Sequence, residues 1–189
     1  MRLFYSLICL ILFFNISCSA SIRGLDGYQN YTIDAAKNAN SHNSLGNIYF
    51  DEKNYNAALQ EYEIAYNLVK NTRAGSPYLY NMARCMIKVN NYKQAQHLIE
   101  YAIKKDCINI TYYEALVDCY IALNTYKKEL SKHISDTKNP YNRIIAGLIY
   151  LKTGEKLNAK IIFDEFINEN PDMIISEDVK LILREINKN

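Results

Sequence analysis

Residues 45–69 read LGNIYFDEKNYNAALQEYEIAYNLV, and the spacing of small and aromatic side chains in this stretch returns three times further along the chain. Ala58 recurs as Ala95, and Tyr92 recurs as Tyr126. Both steps fall within the range of about 33 to 40 residues that is typical of solenoids built from pairs of helices. The sequence therefore predicts an all-α protein in which each unit is one helix-turn-helix.

The first repeat has the pattern of an amphipathic hairpin of two helices. Apolar residues recur at three- and four-residue intervals on both sides of a turn at residues 52–54, which indicates two helices that each bury one face. A turn this short makes the helices antiparallel. We expect Gly46 to let the two backbones approach closely, with Tyr62 filling the space beside it. Leu45 and Ile48 are expected on the buried face of the first helix.

Turn and capping residues divide the rest of the chain into further repeats. Gly75 is expected to end one helix, Ser76 to cap the next and Pro77 to lie in its first turn. Thr111 is expected to cap the third repeat, and the charged last helix to form the polar outer face that the end of a solenoid needs. The predicted repeat domain covers 33–189, with repeats at about 33–72, 76–106, 109–138 and 140–171 and a capping helix at 176–188.

The third repeat departs from this pattern. Glu129 stands where the other repeats have alanine, and His133 stands where a small or aromatic packing residue belongs. Because a carboxylate resists burial unless it is paired, we expect looser packing or a shifted helix there. Any irregular opening or contact of the solenoid is expected at residues 126–138.

Residues 1–17 are interpreted as a lipoprotein-type signal peptide. A positive charge precedes Leu3–Phe14, an apolar run of 12 residues that is too short to span a membrane comfortably. Ser17 and Cys18 follow it and resemble a bacterial lipobox, which implies that Cys18 becomes the lipidated first residue of the mature protein. The lipidated N-terminus and a flexible tether together cover residues 18–32, which are rich in turn formers.

Two other interpretations of this segment stay open. Cleavage after Ala20 would release a soluble exported protein, and an uncleaved segment would act as a signal anchor. The lipoprotein interpretation predicts a lipid-anchored location in the bacterial cell envelope, since each buried methylene of an acyl chain contributes about 0.8 kcal/mol. A serine directly after the cysteine, here Ser19, resembles the pattern of lipoproteins sorted to the outer membrane. We expect the protein to face the periplasm.

Charge and motifs argue against several classes of function. The 189 residues include 22 basic and 20 acidic side chains, a net charge of +2, without the basic stripe that nucleic-acid binding needs. The sequence has no glycine-rich phosphate loop, no paired metal-binding histidines and no nucleophile beside an evident base. His42, His97 and His133 are isolated. We therefore predict a protein that is not an enzyme, with no catalytic residues, metal, cofactor or small-molecule substrate.

Three cysteines remain when the signal peptide and Cys18 are set aside. They are Cys85, Cys107 and Cys119, an odd number without close spacing, which is not a disulfide framework. Cys85 and Cys119 are expected to pack as small buried side chains. A bridge between these two in an oxidising compartment is the alternative.

Residues 39–171 resemble tetratricopeptide repeats. That signature has a small pair and an aromatic residue on the first helix, then alanine, aromatic, alanine and a closing proline, here Pro171, on the second. The resemblance implies a right-handed α-solenoid of about four repeats, whose first helices line a concave groove that holds a peptide or partner protein. By helical facing, the groove should include Asn43, Asn47, Phe50, Tyr80, Arg84, Ile87, Glu114, Asp118, Ile121, Tyr141, Ile144 and Leu148.

The signal peptide and the resemblance together predict a function in recognition. The expected protein is a membrane-anchored lipoprotein that binds a protein or peptide in the cell envelope, for example as an accessory subunit of an envelope assembly complex. The alternative is a soluble exported repeat protein that acts in secretion or host interaction. A third hypothesis is a module that binds peptidoglycan or lipid in the groove.

Overall fold

The computed structural model describes residues 34–188. The predicted signal peptide, the lipidation site at Cys18 and the tether lie outside these residues, as does Asn189.

All regular structure in the described residues is helical, and the predicted all-α solenoid is confirmed. The first eight helices form four pairs in sequence order; α2 packs on α3, α4 on α5 and α6 on α7, and α9 packs on α8. A short 3₁₀ turn, Arg73–Gly75, joins α2 to α3. The helices are α1 (34–51), α2 (Tyr55–Val69), α3 (Ser76–Lys88), α4 (Tyr92–Lys105), α5 (Ile110–Ala122), α6 (Tyr126–Ser135), α7 (Tyr141–Lys152), α8 (Lys156–Glu169) and α9 (Ile175–Lys188).

The turn inside each repeat has one shared backbone geometry. The turn of the third repeat shows this geometry. Thr125 N donates to Tyr120 O at 2.9 Å, and Asn124 N donates to Ile121 O at 3.0 Å. These two bonds form the Schellman ending of a helix, which requires a residue of positive φ. That residue is Lys53, Asn90, Asn124 and Gly154 in the four repeats, with φ of 63°, 60°, 55° and 88°.

A glycine of the first helix lets an aromatic ring of the second lie against the backbone in repeats one and four. A Cβ atom on Gly46 would lie 2.6 Å from Tyr62 Cε1, and one on Gly147 would lie 2.4 Å from Phe163 Cε1. Both rings are fully buried. The close approach expected at Gly46 is confirmed, and the fourth repeat uses the same device.

The expected burial of Leu45 and Ile48 was wrong. Their exposed fractions are 37% and 55%, so helical periodicity alone placed them on the wrong face of α1.

Three capping predictions were also wrong, those at Gly75, Ser76 and Thr111. Ser76 is the first residue of α3, and its hydroxyl donates to Arg73 O at 2.9 Å, while Gly75 lies in the 3₁₀ turn after the end of α2. Asn109 caps α5 instead of Thr111, since its Oδ1 accepts a hydrogen bond from Thr111 N at 3.1 Å. Both helices begin one or two residues before the expected position. Asn109 then caps α5 with its side chain, whereas Gly75 at the N-cap of α3 forms no side-chain cap.

The third repeat is irregular in the region where the sequence indicated it. Its second helix, α6, has 10 residues, and His133 is its only buried residue. Glu129 is half-buried, and its carboxylate lies 3.6 Å from the ammonium group of Lys132. It offers α5 no small side chain to pack on, and α6 packs mainly on α7. The repeat step from Asn124 to Gly154 is shorter than the two steps before it, and α5 also packs directly on α7.

The contact between Gly147 and Phe163 provides a test of the packing. Alanine normally favours a helix over glycine by about 1 kcal/mol, but here its methyl group would overlap the ring. We expect Gly147→Ala to lower the free energy of unfolding by about 1–3 kcal/mol, as measured by urea denaturation. In a Phe163→Leu background the same change should be much less harmful. An equal loss in both backgrounds would show that the ring does not cause it.

Candidate functional site

Polar and aromatic contacts join the first helices of repeats one and two on one face. Asn81 Nδ2 donates to Asn43 Oδ1 at 2.8 Å, which links α3 to α1. The Arg84 guanidinium carbon lies 4.3 Å from the centroid of the Phe50 ring, and Arg84 Nη1 donates to Asn81 Oδ1 at 3.2 Å. Stacking on a ring and bonding to an amide hold this cation in one place, which favours recognition of a partner.

Asn47 is oriented on the same face by the core of the first repeat. Its Oδ1 accepts a hydrogen bond from Tyr62 OH at 2.8 Å. Burial raises the pKa of Tyr62 to about 12, so the hydroxyl keeps its proton and acts as the donor. The exposed Asn47 side chain therefore turns its NH₂ group, with two donors, away from Tyr62.

The middle of the face is aromatic and then acidic. The rings of Tyr80 and Tyr112 lie 5.1 Å apart and join α3 to α5. Glu114 is half-buried and Asp118 is exposed, and Asp118 forms an ion pair with Lys152 of α7. We call this surface the first-helix face; it consists of Asn43, Asn47, Phe50, Tyr80, Asn81, Arg84, Glu114 and Asp118.

Tyr141 belongs to the junction between α5 and α7. Its ring stacks on Tyr113 with centroids 5.8 Å apart and planes 9° apart, and its hydroxyl lies 3.0 Å from Cys107 Sγ. Both ends of this side chain are thus engaged inside the protein, although it is only half-buried.

Ile144 and Leu148 are core residues, so their prediction as groove residues was wrong. Their exposed fractions are 0% and 1%. The prediction used only the direction in which each side chain faces on its own helix. It failed because α5 and α7 pack directly on each other and bury both side chains. Ile87 and Ile121, by contrast, stay partly exposed.

Sequence reasoning missed Lys152 as a part of this surface. It pairs with Asp118, 34 residues earlier, and this separation equals the step from Tyr92 to Tyr126. Other polar contacts between repeats have similar separations, such as 38 residues from Asn43 to Asn81. Opposite charges one repeat apart are therefore a signal that could have found it.

The three histidines lie in different surroundings. His42 Nδ1 lies 2.6 Å from Glu61 Oε2, His97 lies on the surface near Glu100, and His133 is buried. Between residues 34 and 188 no group of three or more His, Cys, Asp or Glu side chains is placed to hold a metal ion. Within the same residues no helix has the length and apolar character needed to cross a membrane.

The solenoid has the fold of tetratricopeptide-repeat proteins of known structure. A tetratricopeptide repeat protein from Parabacteroides merdae matches with a TM-score of 0.50 and 16% identity, over 81% of this chain and 61% of that chain. The corresponding domain of Arabidopsis OM64 has a TM-score of 0.46 and 16% identity, over 80% of this chain and 98% of that domain. For TTC0263 of Thermus thermophilus the values are 0.45 and 18%, over 78% and 80%.

The match to the Parabacteroides merdae protein shows the fold alone, because the sequence identity is low. No protein-family model matches the sequence, and no curated protein matches it.

The thiols allow a test of burial and of the alternative disulfide. Cys85 and Cys119 are free and buried, and burial raises the pKa of each thiol to about 11. At pH 8 only about one in a thousand would be a thiolate, so we expect iodoacetamide to label the half-buried Cys107 much faster. Mass spectrometry of the labelled peptides gives the rates. In urea without reductant all three should react, whereas a bridge would leave Cys85 and Cys119 unlabelled.

Proposed function

We propose that this protein is a membrane-anchored bacterial lipoprotein whose helical scaffold binds a partner protein or peptide in the cell envelope. The observation that carries the recognition role is the first-helix face, where Arg84 is held between Phe50 and Asn81. Such a surface offers fixed hydrogen-bond donors. Because these side chains are already held in place, they lose little further conformational entropy when a partner binds. These fixed groups support a role in recognition.

The chemistry of the face favours a polar partner with groups of both charges. Arg84 and the Asn47 amide provide donors at α1 and α3, whereas Glu114 and Asp118 provide acceptors at α5. Complementary charges along a groove orient a bound segment more than they strengthen its binding. We therefore favour an extended segment whose acidic end lies at Arg84 and whose basic end lies at Asp118.

The anchor is the second part of the proposal and rests on the sequence. Lipidation of Cys18 would leave residues 19–33 between the membrane and the start of α1 at residue 34. A chain of this length reaches at most about 50 Å. An outer-membrane lipoprotein that faces the periplasm could thus present the solenoid to an envelope assembly complex, as an accessory subunit. The alternative is a soluble exported protein that acts in secretion or host interaction.

The anchor is tested by the mass of the native protein. We expect an N-terminal peptide that begins at acylated Cys18, and we expect Cys18→Ala to move the protein from the membrane to the soluble fraction. Ser19→Ala serves as the control and should stay in the membrane. An unacylated N-terminus at Ser21 would contradict the anchor and favour the soluble alternative.

The recognition role is tested by photo-crosslinking in the native envelope. We expect a crosslinking amino acid at Asn47 or Asp118 to capture a defined protein, and one at Glu63 on the surface of α2 to capture none. Arg84→Ala should lower this capture at least about tenfold, as for a central interface arginine, whereas Lys104→Ala, which removes an exposed cation from α4, should not. Capture that is equal at all three positions would contradict the proposal, and crosslinks to glycan or lipid alone would favour the third hypothesis.

A further inference from the structure

His133 occupies a position that holds a large apolar side chain in each of the other repeats. Tyr62, Ile99 and Phe163 each follow the small residue of their first helix at one constant separation along the chain, and His133 follows Val117 at the same separation. The exposed fraction of His133 is 8%. An ionisable ring therefore replaces the apolar side chain that fastens the second helix elsewhere in the solenoid.

The hydrogen bonds around His133 fix which ring nitrogen carries the proton. Asn142 Nδ2 donates to both Asp136 O and Asp136 Oδ2, each at 2.9 Å. Since both of these atoms only accept, Asn142 Oδ1 must face His133 Nδ1, which lies 2.8 Å away. Nδ1 is then the donor, and in the neutral ring Nε2 holds the lone pair.

Nε2 is the weak point of this arrangement. It is buried, and no hydrogen-bond partner lies within reach of it in the described residues. The ring packs near Tyr120 of α5, with centroids 6.2 Å apart, and it lines one cleft of about 240 Å³ and another of about 120 Å³. The titratable and charged groups around the ring or along these clefts are Glu100, Tyr113, Tyr120, Glu129, Lys132, Asp136, Tyr141, Arg143 and Glu165.

We propose that His133 is a proton-operated latch, which holds α6 against α7 while the ring is neutral and releases α6 when the ring is protonated. Protonation would place an N–H of a cation at a buried atom that has no acceptor, and this is costly. No other residue of α6 is fully buried, so only the half-buried apolar side chains of Tyr126 and Leu130 resist the release. The surface that opens would include Leu116, Tyr120 and Ile145, which line the larger cleft, so acid pH would expose an apolar site.

The direction of the pH effect follows from the burial. Desolvation lowers the pKa of His133 below its usual 6.5, and the hydrogen bond to Asn142 opposes this only in part. The released state thus binds more protons than the closed state, and the closed state loses stability as the pH falls below 6.5. For one proton the opening equilibrium changes at most about tenfold per pH unit.

Hydrogen exchange of the purified protein tests the latch. After correction for intrinsic rates, we expect the amides of α6 to lose protection at least about fivefold between about pH 7.5 and about pH 5, while those of α4 change little. His133→Phe, which restores an aromatic ring, should abolish this loss. His97→Phe makes the same substitution at an exposed position and should leave it unchanged.

Either of two hydrogen-exchange results would overturn the latch. One is protection of α6 that does not depend on pH in the wild-type protein, and the other is the same pH dependence in His133→Phe. Titration of His133 by NMR in the wild-type protein decides the matter even if that variant does not fold. A midpoint clearly below 6.5 is expected, and a midpoint at or above 6.5 contradicts the proposal. These results do not test the partner-binding role of the first-helix face, which has its own experiment.

Discussion

Each regular repeat is closed by a large side chain of its second helix that lies against a small residue of its first. Gly46 faces Tyr62, and Gly147 faces Phe163, so closely that a Cβ atom on either glycine would overlap the ring. Because protein interiors are close-packed, a ring in this position fixes both the distance and the rotation of the two helices. The surface also depends on it, since the hydroxyl of Tyr62 holds Asn47 in place.

The third repeat has a different pair of residues at this contact. Val117 and His133 stand at the corresponding positions, and both are buried, but the imidazole is ionisable and leaves Nε2 without a partner. α6 contributes only the half-buried Tyr126 and Leu130 to the main core, which joins α5 directly to α7 through residues such as Ile144 and Leu148. The weak packing of α6 and the burial of Ile144 and Leu148 therefore both follow from the irregular third repeat.

The helical pairs follow from the sequence, since apolar periodicity and Gly46 report on local packing. The shared backbone geometry of the turns was not predicted. Its positive φ is a backbone property that Lys53 and Gly154 satisfy with unlike side chains. Ile144 and Leu148 were misplaced for a different reason. Facing along one helix says nothing about how far away the next helix lies, and that distance is set by the irregular repeat.

The core is unevenly divided, and this division affects recognition. One continuous cluster takes in residues of α3–α5 and α7–α9, whereas α1 packs Ala39, Tyr49 and Phe50 on two smaller clusters. The contacts of Asn43 with Asn81 and of Phe50 with Arg84 add to this apolar attachment of α1. A partner that binds these side chains must either strengthen or compete with that attachment, so binding at the first-helix face and the order of α1 are coupled in free energy.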